Sequence, residues 1–231
     1  MGHLSLSFSL VLLLFGSEAE DLYRRAAARA SEGDAKEALA LLRASFAAGL
    51  PDPSRALTDP ALRTLRSRTT RPSLRALSKE FARESSLVLA PADEPGDPLV
   101  VSGTVRDAEG RPVGGALVHV FQTDARGLYS EDGMDESNPR LFSYLRTGAD
   151  GRYRFRTIRP AHYPDETEPV EQHIHYEVTA KGFETRRHRL GFRDDPFWER
   201  EGKTPPAWAA PVERDGDGVP SCVADVVLSA R

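Results

Sequence analysis

One cysteine, Cys222, stands in the whole chain, so no disulfide can form within it. Its setting in the apolar run SCVADVVLSA reads as a buried structural thiol. A basic excess is also missing: 31 Lys and Arg face 35 Asp and Glu, a formal net charge of −4, which argues against nucleic acid as the principal partner. The N-terminal apolar run, Leu4 to Gly16, is shorter than the ~20 residues that a membrane span needs. It has the length of a signal-peptide core, and small residues at Ser17 and Ala19 precede the acidic pair Glu20 and Asp21. The expectation is a signal peptide over 1–19, a secreted or periplasmic protein and no stable membrane span once the leader is removed. No cysteine follows the run, so a lipid anchor has no attachment point.

What is present changes character along the chain. Over 20–89 the pattern is helical. In DAKEALALLRASFAAG, residues Ala35, Leu39, Leu42 and Phe46 share a face, and Gly49 is placed to end the helix. Asp59 and Pro60 form a start signal for a second helix, and Leu74, Leu77 and Phe81 mark a third. The first part is similar to the hairpin of tetratricopeptide-type repeats, which need stacked neighbours. Such a segment can pack on the following domain or offer a surface to a second copy or a protein partner. Arg63, Arg66, Arg68, Arg71 and Arg75 read as a solvated basic face.

APADEPGDP, residues 90–98, carries three prolines and a glycine and reads as a linker. Beyond it, over 99–231, short runs alternate in the strand period: LVVSGTVR, ALVHVFQT, RYRFRTI, QHIHYEVTA, TRRHRLGF and VADVVLS. Six such runs with Gly, Pro and Asp turns between them predict a β-sandwich and a mainly β chain.

One of these runs carries two histidines. Side chains two residues apart in a strand leave the same face, about 6.6–7 Å apart at Cα, so His173 and His175 can lean onto one metal ion. A lone H-x-H is weak evidence, since ordinary strand histidines are frequent. Tyr129, in DARGLYS, and Tyr163, in TIRPAHYPD, are the candidates to complete the set. A phenolate oxygen is a hard, negative donor, and two of them beside two imidazoles suit a ferric ion better than zinc or ferrous iron.

The ordered combination of the VSGTVRDAEGRPVGGALVHVFQTDARGLY segment, then DGRYRFRTIRPAHYP, then HIHY resembles the intradiol ring-cleavage dioxygenases, which include the catechol and protocatechuate dioxygenases. It extends from Leu99 to about Arg193. The resemblance implies an intradiol-type β-sandwich, with Tyr129, Tyr163, His173 and His175 as ligands of Fe(III). It implies that catechol-type rings are cleaved by O2 between the two hydroxylated carbons, giving muconate-type dicarboxylic acids. Tyr163 is the ligand expected to yield to substrate.

The chain departs from the family at one charged position. Members carry an arginine three residues before the first histidine, where its charge stabilises negative charge developing on the ring, and this chain has Val170 there. A gapless comparison puts Arg189 where many members have a glutamine near the site, so that Arg189 either supplies the missing charge or faces solvent from TRRHRLGF. His162 stands beside Tyr163 where glycine is usual, and reads as a loop histidine, with a place at the mouth of the site as the alternative. His119 and His188 read as strand-surface residues, Phe121, where tryptophan is common, as core packing, and Glu131 to Ser137 as a solvated acidic loop. Two alternatives stay open: a metal- or aromatic-binding sandwich with little turnover, and a helical adaptor with a sandwich attached.

Overall fold

The computed structural model describes residues 6–84, 86–131, 133–164 and 169–231, with side chains described from Glu18 in the first helix and from Val88 in the first strand. The chain divides into two compact units, Met1–Phe81 and Ala82–Arg231.

The first unit is helical. α1 (Leu6–Ser31) and α2 (Ala35–Ala47) are joined by a turn at Gly33, whose φ of 85° suits glycine. Asp34 caps α2 by accepting from Glu37 N. Ala19, Tyr23, Ala26 and Ala30 recur at helical spacing on the buried side of α1, and Ala38, Leu42 and Phe46 do so on α2. Burial of a side chain the size of Leu42 or Phe46 contributes about 1.5–3 kcal/mol. Two 3-10 turns follow, Pro53–Leu57 and Pro60–Arg66, the second capped by Asp59 as its sequence predicts, and then α3 (Arg71–Glu80).

Two expectations for this unit need revision. Arg71 is buried, with Nε donating to Arg66 O at 3.0 Å, and Arg66 Nη1 donates to the carbonyls of Leu57 and Asp59. Those two arginines satisfy turn carbonyls rather than forming a solvated face. The mainly β expectation also yields to a mixed α/β chain, with 26% helix against 29% strand, because α1 alone runs for 26 residues. The apolar run 4–16 falls where the first five residues and the side chains before Glu18 lie outside the described residues. α1 passes through Ala19 unbroken, and the Ala19 carbonyl accepts from Ser45 Oγ at 2.7 Å. Among the described residues no helix is long and apolar enough to cross a membrane.

The second unit is a sandwich of two sheets. One contains β1 (Ser86–Val88), β5 (Arg152–Ile158), β2 (Pro98–Asp107), β9 (Pro220–Val223) and β8 (Glu213–Arg214) in that spatial order, with β10 (Val226–Leu228) also on β2. The other is antiparallel, in the order β4 (Leu141–Arg146), β3 (Leu117–Gln122), β6 (His173–Thr179) and β7 (Arg186–Gly191). A short α4 (Phe197–Arg200) follows β7. The core between the sheets is filled by alternate residues, including Val101 and Val105 of β2, Val118 and Val120 of β3, Phe155 of β5, and Ile174, Tyr176 and Val178 of β6. β9 and β10 pair in parallel with successive stretches of the same edge of β2, and Gly103 lies at the break. A Cβ there would stand 2.1 Å from the Ala224 carbonyl, so only glycine admits the crossing chain.

Strand β4 is absent from the sequence expectation. Its burial follows no clean alternation, since Leu141, Phe142 and Ser143 are all buried in succession, and period-two reading misses it. His188 also differs from its expected place. It pairs opposite Tyr176, stacks on that ring with centroids 4.8 Å apart, and so points toward the core side of β7.

Candidate metal centre

Strand alternation decides where the histidines go. Ile174, Tyr176 and Val178 of β6 occupy the core, so His173 and His175 leave the opposite, outer face of the four-stranded sheet. Their Nε2 atoms are 3.0 Å apart. Phe121 of β3 pairs with His175 on one side, and Arg189 of β7 pairs with it on the other. Phe121 therefore shares the outer face with the histidines. This corrects its assignment to core packing.

The two tyrosines arrive on loops that are tied together. After β3 the chain turns at Asp124, whose Oδ1 accepts from the backbone N–H groups of Arg126 and Leu128. Gly127, at φ 80°, brings its backbone against the Tyr163 loop, where an added Cβ would lie 1.8 Å from the His162 carbonyl oxygen. Thr123 Oγ1 donates to Ala161 O, and Gln122 Nε2 donates to Ile158 O, so the end of β3 holds the exit of β5. Arg140 N donates to Tyr129 O at 2.7 Å while its guanidinium bridges Glu94 and Asp124.

All four sequence-derived donors converge. Tyr129 Oη is 2.6 Å from Tyr163 Oη and 2.6 Å from His175 Nε2, and Tyr163 Oη is 3.1 Å from His173 Nε2. Neighbouring donors around one small cation at bond lengths of about 2.0–2.2 Å stand roughly 3 Å apart, so the spacing fits a single coordination shell. His173 Nδ1 lies 2.7 Å from the Glu171 carbonyl, which can only accept; the ring proton is therefore on Nδ1, and Nε2 presents its lone pair to the cluster.

The electrostatics favour neutral donors when the site stands alone. Burial raises the Tyr129 phenol above its usual range, with the Tyr163 hydrogen bond adding to it, and burial also raises Tyr163. Burial lowers His173, and it lowers His175 to about 3, with the His173 and Arg189 charges as lesser causes. Two neutral imidazoles and two buried phenols make a set that a multiply charged cation would complete, displacing the phenolic protons. Among the described residues no cluster of three or more His, Cys, Asp or Glu side chains offers a competing metal site.

Arg189 stands 45% exposed with Nη2 3.3 Å from Oε1 of the buried Glu171. Its positive charge acts on both phenols in the direction of ionisation. Glu136 accepts from Tyr163 Oη at 3.4 Å, so one member of the expected solvated loop reaches the site. Glu131 turns instead toward Arg140, at 3.6 Å. His162 Nε2 is 2.8 Å from Oδ1 of Asp195, a buried carboxylate for which the sequence reading has no role. Alternation along β3 sets Phe121 on the face opposite Val120 without naming the core face, and nothing in the sequence marks Asp195 short of its contacts.

The comparisons with known proteins bear on the same segment. A family model described as Dioxygenase matches residues 73–201. Hydroxyquinol 1,2-dioxygenase of Rhizobium sp. (strain MTP-10005) is 34% identical over 121 residues, which is 46% of this chain and 41% of that protein. The protocatechuate 3,4-dioxygenase beta chain of Burkholderia cepacia is 36% identical over 111 residues, 44% of this chain and 47% of that one. The matched segment thus spans less than half the length of these relatives. Among solved structures, the dioxygenase domain of a dioxygenase and carbohydrate-binding protein fusion from Streptomyces sp. SirexAA-E superposes with a TM-score of 0.53 at 29% identity, covering 65% of this chain and 90% of that one. The family match covers more than half of the chain, and the two-sheet sandwich agrees with it: the chain belongs to the intradiol ring-cleavage dioxygenase family.

Proposed function

We propose that this protein is an iron(III) dioxygenase that opens catechol-type aromatic rings between the two hydroxylated carbons with O2, giving muconate-type dicarboxylic acids. The observation that carries the reading is a closed ring of contacts, Tyr129 to Tyr163, Tyr163 to His173, His173 to His175 and His175 to Tyr129, each at 2.6–3.1 Å between the phenol oxygens and imidazole nitrogens. Tyr129, Tyr163, His173 and His175 would hold the ion. When bound, Fe(III) supplies Lewis acidity toward a coordinated catecholate. Relatives named for hydroxyquinol, catechol and protocatechuate support the substrate class.

The chain's own groups divide the remaining work. Tyr129, buried and held through its carbonyl by Arg140 N, is the fixed phenol. Tyr163 is the one that can leave: its Oη already has an alternative partner in Glu136, and as a phenolate it can take a proton from an incoming catechol hydroxyl. His173 is oriented by Glu171 O and His175 by the Phe121 ring. Arg189, from the strand beside His175, places positive charge where the arginine missing at Val170 would act, and steadies negative charge developing on the substrate ring.

Ferric reconstitution of the purified protein tests the reading. Tyrosinate bound to ferric ion absorbs visible light, so a coloured protein is expected, with a band that shifts on anaerobic addition of catechol and O2 uptake with a ring-opened product on aeration. Colour and a shift without O2 uptake would identify a binding protein in which Arg189 does not replace the arginine absent at Val170. A colourless protein after ferric loading would sink the metal assignment. Export belongs to the same reading, supported by the leader-like run Leu4 to Gly16, and N-terminal sequencing of the mature protein checks it.

A further inference from the structure

Tyr163 and His173 belong to separate segments, the loop after β5 and the first residue of β6, yet Tyr163 Oη and His173 Nε2 stand 3.1 Å apart. The contacts of the cluster itself do not account for this, because they act at the tips of long side chains. The backbones behind those tips must be held, and one carboxylate holds both. Asp195 follows β7, and its side chain is fully buried. Its Oδ1 accepts from His162 Nε2 at 2.8 Å and from Phe197 N at 3.0 Å, and its Oδ2 accepts from Gln172 N at 2.7 Å. His162 is the residue before Tyr163, and Gln172 is the residue before His173.

The preceding residue repeats the arrangement further out. Asp194 pairs with Arg159 through both oxygens at 2.9 Å, and Arg159 Nε donates to Gln172 Oε1 at 2.7 Å. The two aspartates therefore grip the Tyr163 loop at Arg159 and at His162, and reach the start of β6 through Gln172. A charge-assisted hydrogen bond to a fully buried carboxylate is among the stronger polar restraints a protein can build. It acts on the loop beside Tyr163 and leaves the phenol itself unclamped.

We propose that Asp195, through His162 and the Gln172 amide, is a positioning residue that sets the separation of Tyr163 from His173, and with it the two-phenol, two-imidazole arrangement. The inference rests on the metal centre proposed above. Asp195 also supports the first turn of α4 through Phe197 N, so a purely structural role is the competing account. His162 separates the two, because its removal leaves the Phe197 and Gln172 bonds in place.

The test compares His162→Ala, His162→Gln and Asp195→Asn with the wild type, each loaded with ferric ion and competed with citrate, and each scanned for its visible band and Tm. His162→Ala is expected to weaken ferric affinity about 10–100-fold, the usual effect of losing an outer partner of a ligand. The tyrosinate band should weaken or shift while Tm changes little, and His162→Gln, whose amide can reach the same carboxylate, should recover most of both. Unchanged affinity and band in His162→Ala, with Tm loss confined to Asp195→Asn, would overturn the positioning role. A wild type that binds no ferric ion would instead sink the metal centre. The crystal structure of His162→Ala then decides: Tyr163 Oη displaced from His173 Nε2 upholds the role, and an unmoved pair ends it.

Discussion

Phe121 lies flat against His175, with ring centroids 4.5 Å apart and planes inclined by 4°. The same ring is 6.0 Å from that of Tyr129, so a single apolar side chain on β3 supports two donors that reach the cluster from different segments. Phe121→Ala should cost about 1–3 kcal/mol, less than the ~3–5 of a full core truncation because the ring is only partly buried. It should also release the His175 ring and lower ferric affinity about tenfold. Denaturant melts and metal competition measure the two effects. Equal ferric affinity in Phe121→Ala and wild type would show that the stack orients nothing.

Gly127→Ala and Gly110→Ala form a paired experiment. Both glycines adopt left-handed backbone, φ 80° and 82°, but a Cβ at Gly127 meets the His162 carbonyl while one at Gly110 meets nothing within 4 Å. Gly110→Ala should cost only the left-handed penalty, about 1–2 kcal/mol. Gly127→Ala should cost more and disturb the tyrosinate band, since the Tyr129 and Tyr163 loops must separate to admit the methyl. Equal costs and an unaltered band would refute the close-approach account.

For Arg189 the expected effect is on turnover. Arg189→Gln should lower kcat by about 10–100-fold, and Arg189→Lys should retain more of it, because the role asks for charge beside the ring. Removing the guanidinium also leaves Glu171 buried without its partner, so Glu171→Gln combined with Arg189→Gln should recover stability but not kcat. Full turnover in Arg189→Gln would refute compensation for Val170.

His188 makes a pH prediction. Burial against Tyr176 lowers its pKa to about 4, from an unfolded value of about 6.5. Between those values the unfolded chain binds more protons, so this residue's contribution to stability is intact above about pH 6.5 and lost as pH falls toward 4. His188→Gln should therefore lose less Tm than wild type between pH 7 and 4.5. Parallel losses in the two proteins would assign the acid sensitivity to other groups.

The sandwich was legible from short-range pattern, and the four candidate donors from that pattern together with the family resemblance, which picks Tyr129 and Tyr163 out of six tyrosines. Turn residues bracket the strands, H-x-H in a strand sets two rings on one side, and the Asp124 to Tyr129 turn carries its own capping carboxylate and left-handed glycine. Strand β4 escaped because it is buried on both faces, and His188 because period two does not say which face is the core. Phe121 was misplaced for the same reason: alternation separates it from Val120 without saying which of the two faces inward.

The amino-acid sequence by itself determined the donor types, their order and the local turns that present them, since these follow from backbone geometry over a few residues. Only the tertiary structure decided that the candidate donors meet on the outer face of the β4-β3-β6-β7 sheet, that Arg189 and Phe121 flank His175, and that Asp195 joins the residues before Tyr163 and His173. Those relations are set by sheet register and by loops packing across it, which no local stretch of chain specifies.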